Sequence, residues 1–183
     1  PDEAARESIT LIKNPDVKVI DTSTAHRVSP EWVYGFPEMT NGQAELIKKA
    51  KRVANPGCYP TGAISLVRPL IENSIIPSSY PLTINAVSGY SGGGKSLIKR
   101  FETEENEAPP IYFYGTNLSH KHLPEMQQYI GLDNPPFFIP SVGKYMHGMI
   151  VQVPIYLTES LNTANRPQTI HDVLSQHYAS SNF

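Results

Sequence analysis

The only cysteine of the chain lies in Asn55-Pro56-Gly57-Cys58-Tyr59-Pro60-Thr61, just ahead of a run, Ala63 to Ile71, that repeats apolar residues at helical spacing. Pro60 suits the first turn of a helix, where a missing N–H is no loss. Gly57 lets the backbone turn sharply and leaves room for a ligand to come close. Cys58 is therefore expected beside free backbone N–H groups and the positive end of a helix dipole, which favour thiolate over thiol. An ordinary thiol of pKa about 8.5 is only about 3% ionised at pH 7, so such surroundings would make a nucleophile. The plain alternative is a buried cysteine serving as a small hydrophobe. Rigid Pro-Gly and Tyr-Pro flanks argue against it.

His120-Lys121-His122-Leu123-Pro124-Glu125 is the second constellation. Pro124 is expected to open a helix, leaving both histidines on an extended approach where residues two apart point the same way. Glu125 then stands close enough to orient or polarise the His122 imidazole, as carboxylates do for catalytic histidines. Exposed loop histidines or half of a metal site are the competing readings. Metal is disfavoured, because a His-x-His pair needs further ligands and Cys58 is the one thiol present. Beside a primed cysteine, the pair supplies a general acid/base.

A third segment, Gly89 through Ser96, satisfies G-x-x-x-x-G-K-[ST] after an expected strand and before an expected helix. A nucleoside triphosphatase is the alternative function this suggests. It requires a later apolar strand ending in a magnesium-binding Asp, and neither Phe137–Ile139 nor Met149–Leu157 ends in one. Val17–Asp21 fits that description but lies upstream. A glycine loop with a lysine can also cradle the phosphate of a phosphorylated substrate.

The elements that must position these residues follow a recognisable order. Asp2 to Ile12 reads as a helix with an apolar stripe of Ala4, Ala5, Ile9 and Ile12, broken at Asn14-Pro15 and followed by a strand at Val17–Asp21. Helix, turn, strand is the rhythm of a doubly wound α/β sheet. Thr40 and Gln43 predict a capping box for a helix through Lys51. After the Cys58 helix come a strand at Leu82–Val87, a solvated loop from Glu102 to Pro110, and strands at Ile111–Tyr114 and Met149–Leu157 around a short helix from Pro124 to Gly131. A polar linker, Thr158 to Pro167, leads to a last helix around Ile170–Tyr178. The second half thus reads as α+β.

With 183 residues, 39% hydrophobic, and a formal net charge of −2, the chain has no general attraction for nucleic acid or anionic membrane. One cysteine excludes an intrachain disulfide, and no run reaches the eighteen or so apolar residues of a membrane span. The opening Pro1-Asp2-Glu3 shows no leader. A cytoplasmic location is expected, and the lack of an initiating Met suggests part of a longer polypeptide.

Taken together the motifs resemble the N-acetyl-gamma-glutamyl-phosphate reductase family, the NADP-dependent enzymes of arginine biosynthesis, in its shorter sequence type. The likeness runs through Val19-Ile20-Asp21-Thr22-Ser23, Tyr34-Gly35-Phe36-Pro37-Glu38, the Cys58 motif, Ser88 to Lys95 and His120 to Glu125. It implies that Cys58 is the nucleophile and His122 the acid/base, with Glu125 orienting His122 and with His120 and Tyr114 lining the same pocket. Ser23 and the Ser88–Gly94 loop, with Gly89, Ser91 and Gly92, would lie beside nicotinamide and substrate. Lys95 is the first choice of cation for an acyl-phosphate substrate, ahead of Arg27, Arg100 and Lys144. The implied plan, shared with aspartate-semialdehyde and glyceraldehyde-3-phosphate dehydrogenases, is the end of a Rossmann-like dinucleotide-binding domain over 1–55. A catalytic and dimerisation domain over 56–183, with a mixed or antiparallel sheet, follows it in a homo-oligomer. Family members carry a glycine-rich pyrophosphate turn at the start and a strand and helix at the end that do not occur here. Weak NADP binding and an inactive isolated fragment are therefore expected. His26, His147, His171 and His177 receive no role.

Overall fold

A computed structural model describes residues 2–103, 108–157 and 166–181. Its strands form two sheets. The first is parallel, ordered β1-β3-β2, and built from Val19–Asp21 (β1), Val33–Tyr34 (β2) and Arg52–Ala54 (β3). Helix α1 (Asp2–Leu11) precedes it, and α2 (Gln43–Lys49) makes the crossover that a parallel β2–β3 pair requires. Asn55 N–H extends the ladder by donating to the Asp21 carbonyl at 2.8 Å. The chain then leaves the carboxyl end of β3 and enters α3 (Cys58–Glu72).

The second sheet is mixed and ordered β5-β6-β4-β7. Its centre, β4 (Thr83–Gly89), runs parallel to β6 (Phe137–Gly143) and antiparallel to β7 (Met149–Gln152), while β5 (Ile111–Phe113) is antiparallel to β6. One face is covered. Ile84 and Phe138 of the sheet meet Ile64, Val67 and Leu70 of α3 and Met126 and Ile130 of α5 (Leu123–Ile130), all of them buried. Each such side chain contributes roughly 1.5–3 kcal/mol of transfer free energy, so the helices bearing Cys58 and Glu125 rest on one common core. Helices α4 (Gly94–Thr103) and α6 (Arg166–Tyr178) complete the unit. The opposite face is open and apolar: Phe113 is 66% exposed, Ile150 59%, Ile111 55% and Phe137 50%. An α/β unit followed by an α+β unit is the predicted architecture.

Several local expectations fail, each for a physical reason. The Thr40–Gln43 capping box does not form: α2 is capped by Gly42 in the left-handed region (φ 84°), and the Gln43 amide donates to the Tyr34 carbonyl at 2.5 Å. Strands β2 and β3, two and three residues long, are too short to show a period. Strand β7 stops at Gln152, ahead of Pro154, which has no N–H to donate; Val153, Ile155 and Leu157 nevertheless pack on the core. Glu102 and Thr103 belong to α4, and Ala108 is buried, so the Glu102–Pro110 segment is not wholly solvated; 104–107 lie outside the described residues. Of the expected linker, 158–165 also lie outside them, and Arg166 and Pro167 open α6. No residue of α1 is buried.

Candidate active site

Cys58 is the first residue of α3 and its thiol is exposed. Gly57, the N-cap, has ordinary extended backbone (φ −70°, ψ 151°) and no side-chain cap. The turn is held from outside instead. Gly57 N–H donates to Glu125 Oε1 at 2.6 Å, while the Gly57 carbonyl accepts from the Thr61 N–H at 3.0 Å and hydroxyl at 2.8 Å. A Cβ at Gly57 would lie 2.6 Å from Arg27 Nη1, 2.8 Å from Glu125 Oε2 and 2.9 Å from His122 Nε2. Glycine is demanded here by neighbours, not by torsion.

A cavity of about 590 Å³ opens over Cys58 and is lined also by His120, His122, Tyr114, Ser88 and Gly92. Its size suits a small-molecule site. His120 and His122 meet edge to face at 4.8 Å between ring centroids. They do so from a turn, not an extended segment: His122 has helical torsions (φ −85°, ψ −9°), and its N–H donates to His120 Nδ1 at 3.2 Å instead of to a strand carbonyl. Burial holds the His122 ring at about 3, with His120, Arg27 and Lys121 adding to the effect. His120 is lowered too, chiefly by burial and then by Lys121. Both rings are therefore neutral near pH 7. His122 Nδ1 is sealed without a hydrogen-bond partner, which leaves Nε2, turned toward Gly57, as the nitrogen available for proton transfer.

One wall of the cavity is a chain of hydroxyls. Tyr114 donates to the Tyr59 hydroxyl at 3.1 Å, and Tyr59 shares a 2.8 Å bond with Ser88 Oγ. Burial raises both phenols above their ordinary value, so they remain protonated donors.

Glu125, 2% exposed, bonds to groups other than the His122 ring. Its Oε1 also accepts the Tyr34 hydroxyl at 2.6 Å, and its Oε2 accepts Arg27 Nη1 at 3.1 Å. Arg27, itself 7% exposed, donates from Nε to the Asn55 carbonyl and from Nη2 to the Thr22 carbonyl.

The glycine segment does not make a phosphate loop. Gly89, Tyr90 and Ser91 spend their N–H groups on the carbonyls of Gly148, Tyr145 and Met146, at 2.9, 2.9 and 3.1 Å. The first three donors of the segment are thus committed, and Tyr90–Gly93 winds into a 3-10 turn closed by the Gly94 N–H on the Ser91 carbonyl instead of forming an open cradle, which disfavours the triphosphatase reading.

Other expected residues sit off the cavity lining. Lys95 is exposed at the start of α4; Gly89 packs under the Tyr145–Met146 backbone; Ser91 Oγ meets His147 Nδ1 at 3.1 Å. Ser23 donates to Asp21 at 2.8 Å, and the same carboxylate meets His26, which stacks on Trp32. Arg27 and Lys121 are the cations that reach the lining. Tyr34 and Tyr59 join the site with no role expected from the sequence, although both fall within motifs that carry the resemblance.

Comparison with known proteins identifies the family. The profile described as semialdehyde dehydrogenase, dimerisation domain, matches residues 58–183. The chain belongs to this family. Among its members, an N-acetyl-gamma-glutamyl-phosphate reductase of Rhizobium meliloti (strain 1021) is 52% identical, over 98% of this chain and 59% of that protein. One from Burkholderia lata is 51% identical over 98% and 57%, and N-acetyl-gamma-glutamyl-phosphate reductase 2 of a Nostoc species is 49% identical over 100% and 58%. The chain thus spans somewhat under three-fifths of these relatives. Aspartate semialdehyde dehydrogenase II from Vibrio cholerae superposes with a TM-score of 0.63 at 16% identity, over 96% of this chain and 58% of that one, and so shares the fold. The semialdehyde dehydrogenase likeness read from the motifs is the one found. No described helix is long and apolar enough to cross a membrane.

Proposed function

We propose that this chain provides the nucleophile and proton-transfer residues of an N-acetyl-gamma-glutamyl-phosphate reductase, a cytoplasmic enzyme of arginine biosynthesis. The observation that carries the proposal is an exposed Cys58 on the first turn of α3, sharing one cavity with His120 and His122. Cys58 sulfur attacks the acyl carbon, the carbon–oxygen bond to phosphate breaks, and a thioester remains on the enzyme. Backbone N–H groups of the first turn of α3 stand near the developing oxyanion. NADPH, when bound, supplies the hydride that takes the thioester to the aldehyde level. His122 Nε2 manages the proton on the hemiacetal oxygen, a role typically worth 10²–10⁴-fold.

The residues present suit the nicotinamide end of that cofactor. Gly92 and Gly93 line the cavity, and beside Gly92 only Ser88 lies within 4 Å of where a Cβ would stand, so a flat ring can approach there. Reductase activity is assigned to the natural-length protein, since this chain spans only 57–59% of its reductase relatives. The open apolar sheet face of Phe113, Phe137 and Ile150 supports self-association in a homo-oligomer.

Phosphate-dependent oxidation of N-acetyl-glutamate semialdehyde by the natural-length protein tests the proposal. Cys58→Ala abolishes it while thermal unfolding stays unchanged. Full activity in that variant sinks the assignment.

A further inference from the structure

Taking Cys58 as the nucleophile, as above, we propose that Glu125 positions the Cys58 turn directly, through Gly57 and with Arg27 and Tyr34 holding it, instead of acting through His122. A carboxylate that orients a histidine takes a ring N–H. Glu125 takes none: Oε1 is occupied by the Gly57 N–H and the Tyr34 hydroxyl, both at 2.6 Å, and Oε2 by Arg27 at 3.1 Å. His122 Nδ1, meanwhile, has no partner at all.

The contacts converge on one rigid turn. Arg27 Nε holds the Asn55 carbonyl at 2.9 Å and Glu125 holds the Gly57 N–H, so the peptide groups on both sides of Pro56 are tied to a single ion pair. Pro56 fixes its own φ. With both ends anchored, little freedom is left in the backbone that aims Cys58.

The pair is itself locked in place. Glu125 and Tyr129 are four residues apart on α5 and share a face. Tyr129 stacks on Tyr34 with centroids 3.7 Å apart and donates to the Arg27 carbonyl at 2.6 Å. Helix α5 therefore does two jobs with successive turns: His122 reaches the cavity from its N-cap, and Glu125 sets where the thiol stands relative to it. The space a Gly57 side chain would occupy is where Arg27, Glu125 and His122 meet. Glu125, Arg27 and Tyr34 are positioning residues in this scheme.

A cycle of Cys58 alkylation by iodoacetamide in the natural-length protein, followed on the Cys58 peptide by mass spectrometry, separates the two routes. Glu125→Gln is measured alone and with His122→Asn. If Glu125 acts on the turn, Glu125→Gln slows alkylation by about fivefold, the scale of one hydrogen bond, equally in both backgrounds. An effect that vanishes beside His122→Asn shows that Glu125 works through the histidine and overturns the proposal. So does an unchanged alkylation rate in folded Glu125→Gln. Should that variant fail to fold, Tyr34→Phe removes one donor to the same oxygen and is read in the same cycle with the same two outcomes. Wild-type reductase activity, assayed in parallel, reports on the functional reading separately: its absence would refute that reading and leave the alkylation result standing.

Discussion

His122 offers a quantitative check, because its folded and unfolded environments differ so much. Burial, aided by electrostatic repulsion from His120, Arg27 and Lys121 against a charged ring, holds it at about 3 in the folded chain. In the unfolded chain it titrates near 6.5. Between those values the unfolded state binds a proton that the folded state refuses, so stability falls as pH falls. The penalty is nearly absent at pH 7, grows below about 6.5 and levels off near 3. Going from pH 7 to 5.5 crosses about one unit of that window, which costs about 1 kcal/mol from this ring alone. His122→Asn removes the titrating group. Its other effects, lost packing or a gained amide, do not vary over this range and cancel when the pH dependence of each protein is taken. His120, lowered by burial and by Lys121, contributes its slope to both. Urea unfolding at pH 7 and 5.5 should therefore show wild type losing about 1 kcal/mol more than His122→Asn. Parallel losses would refute the account of a buried neutral ring. The same reasoning predicts no inflection near 6.5 from His122 in the pH profile of kcat/KM.

Gly57→Ala has permitted torsions, so its cost is steric; contacts of 2.6–2.9 Å to Arg27, Glu125 and His122 predict a loss of about 1–3 kcal/mol in thermal unfolding. An unchanged Tm would mean the cluster yields freely. Tyr59→Phe keeps the ring packing on Phe138 at 5.2 Å but cuts the hydroxyl chain between Tyr114 and Ser88. About 1–3 kcal/mol is expected in urea unfolding for the buried groups left unpaired, and no loss would show that solvent satisfies them. Placing charge on the open sheet face, as in Phe113→Glu with Ile150→Glu, should shift sedimentation velocity toward a smaller species with the Cys58 cavity untouched. An unaltered assembly state would move the interface elsewhere.

What could be read in advance was local. A glycine before and a proline after Cys58 mark a helix start, and Pro124 with Gly131 bounds α5, because caps and torsional limits are written within a few residues of where they act. The longer helices showed their apolar period, whereas β2 and β3 of the first sheet are too short to show one, and the two-unit plan rested on the family resemblance. The partners of Glu125 could not be read this way. Gly57, Tyr34 and Arg27 lie 68, 91 and 98 residues from it along the chain, and only the packing of α5 against the first sheet unit brings them near. A carboxylate three residues after a histidine reads as that histidine's orienter, since spacing shows which side chains share a helix face but not what the face meets. The glycine segment misleads in the same way. Its letters match a phosphate cradle, yet carbonyls of Tyr145, Met146 and Gly148 take the N–H groups of Gly89, Tyr90 and Ser91. In both places a buried polar group was paired by whichever complementary group the fold delivered, since leaving it unpaired costs more than any local preference can return. Motifs of this kind identify atoms able to do chemistry, and the assignment of roles among them waits on the accounting of every buried donor and acceptor. Here that accounting leaves Cys58 exposed, His122 Nε2 uncommitted, and Glu125 fully engaged with the turn that holds the sulfur.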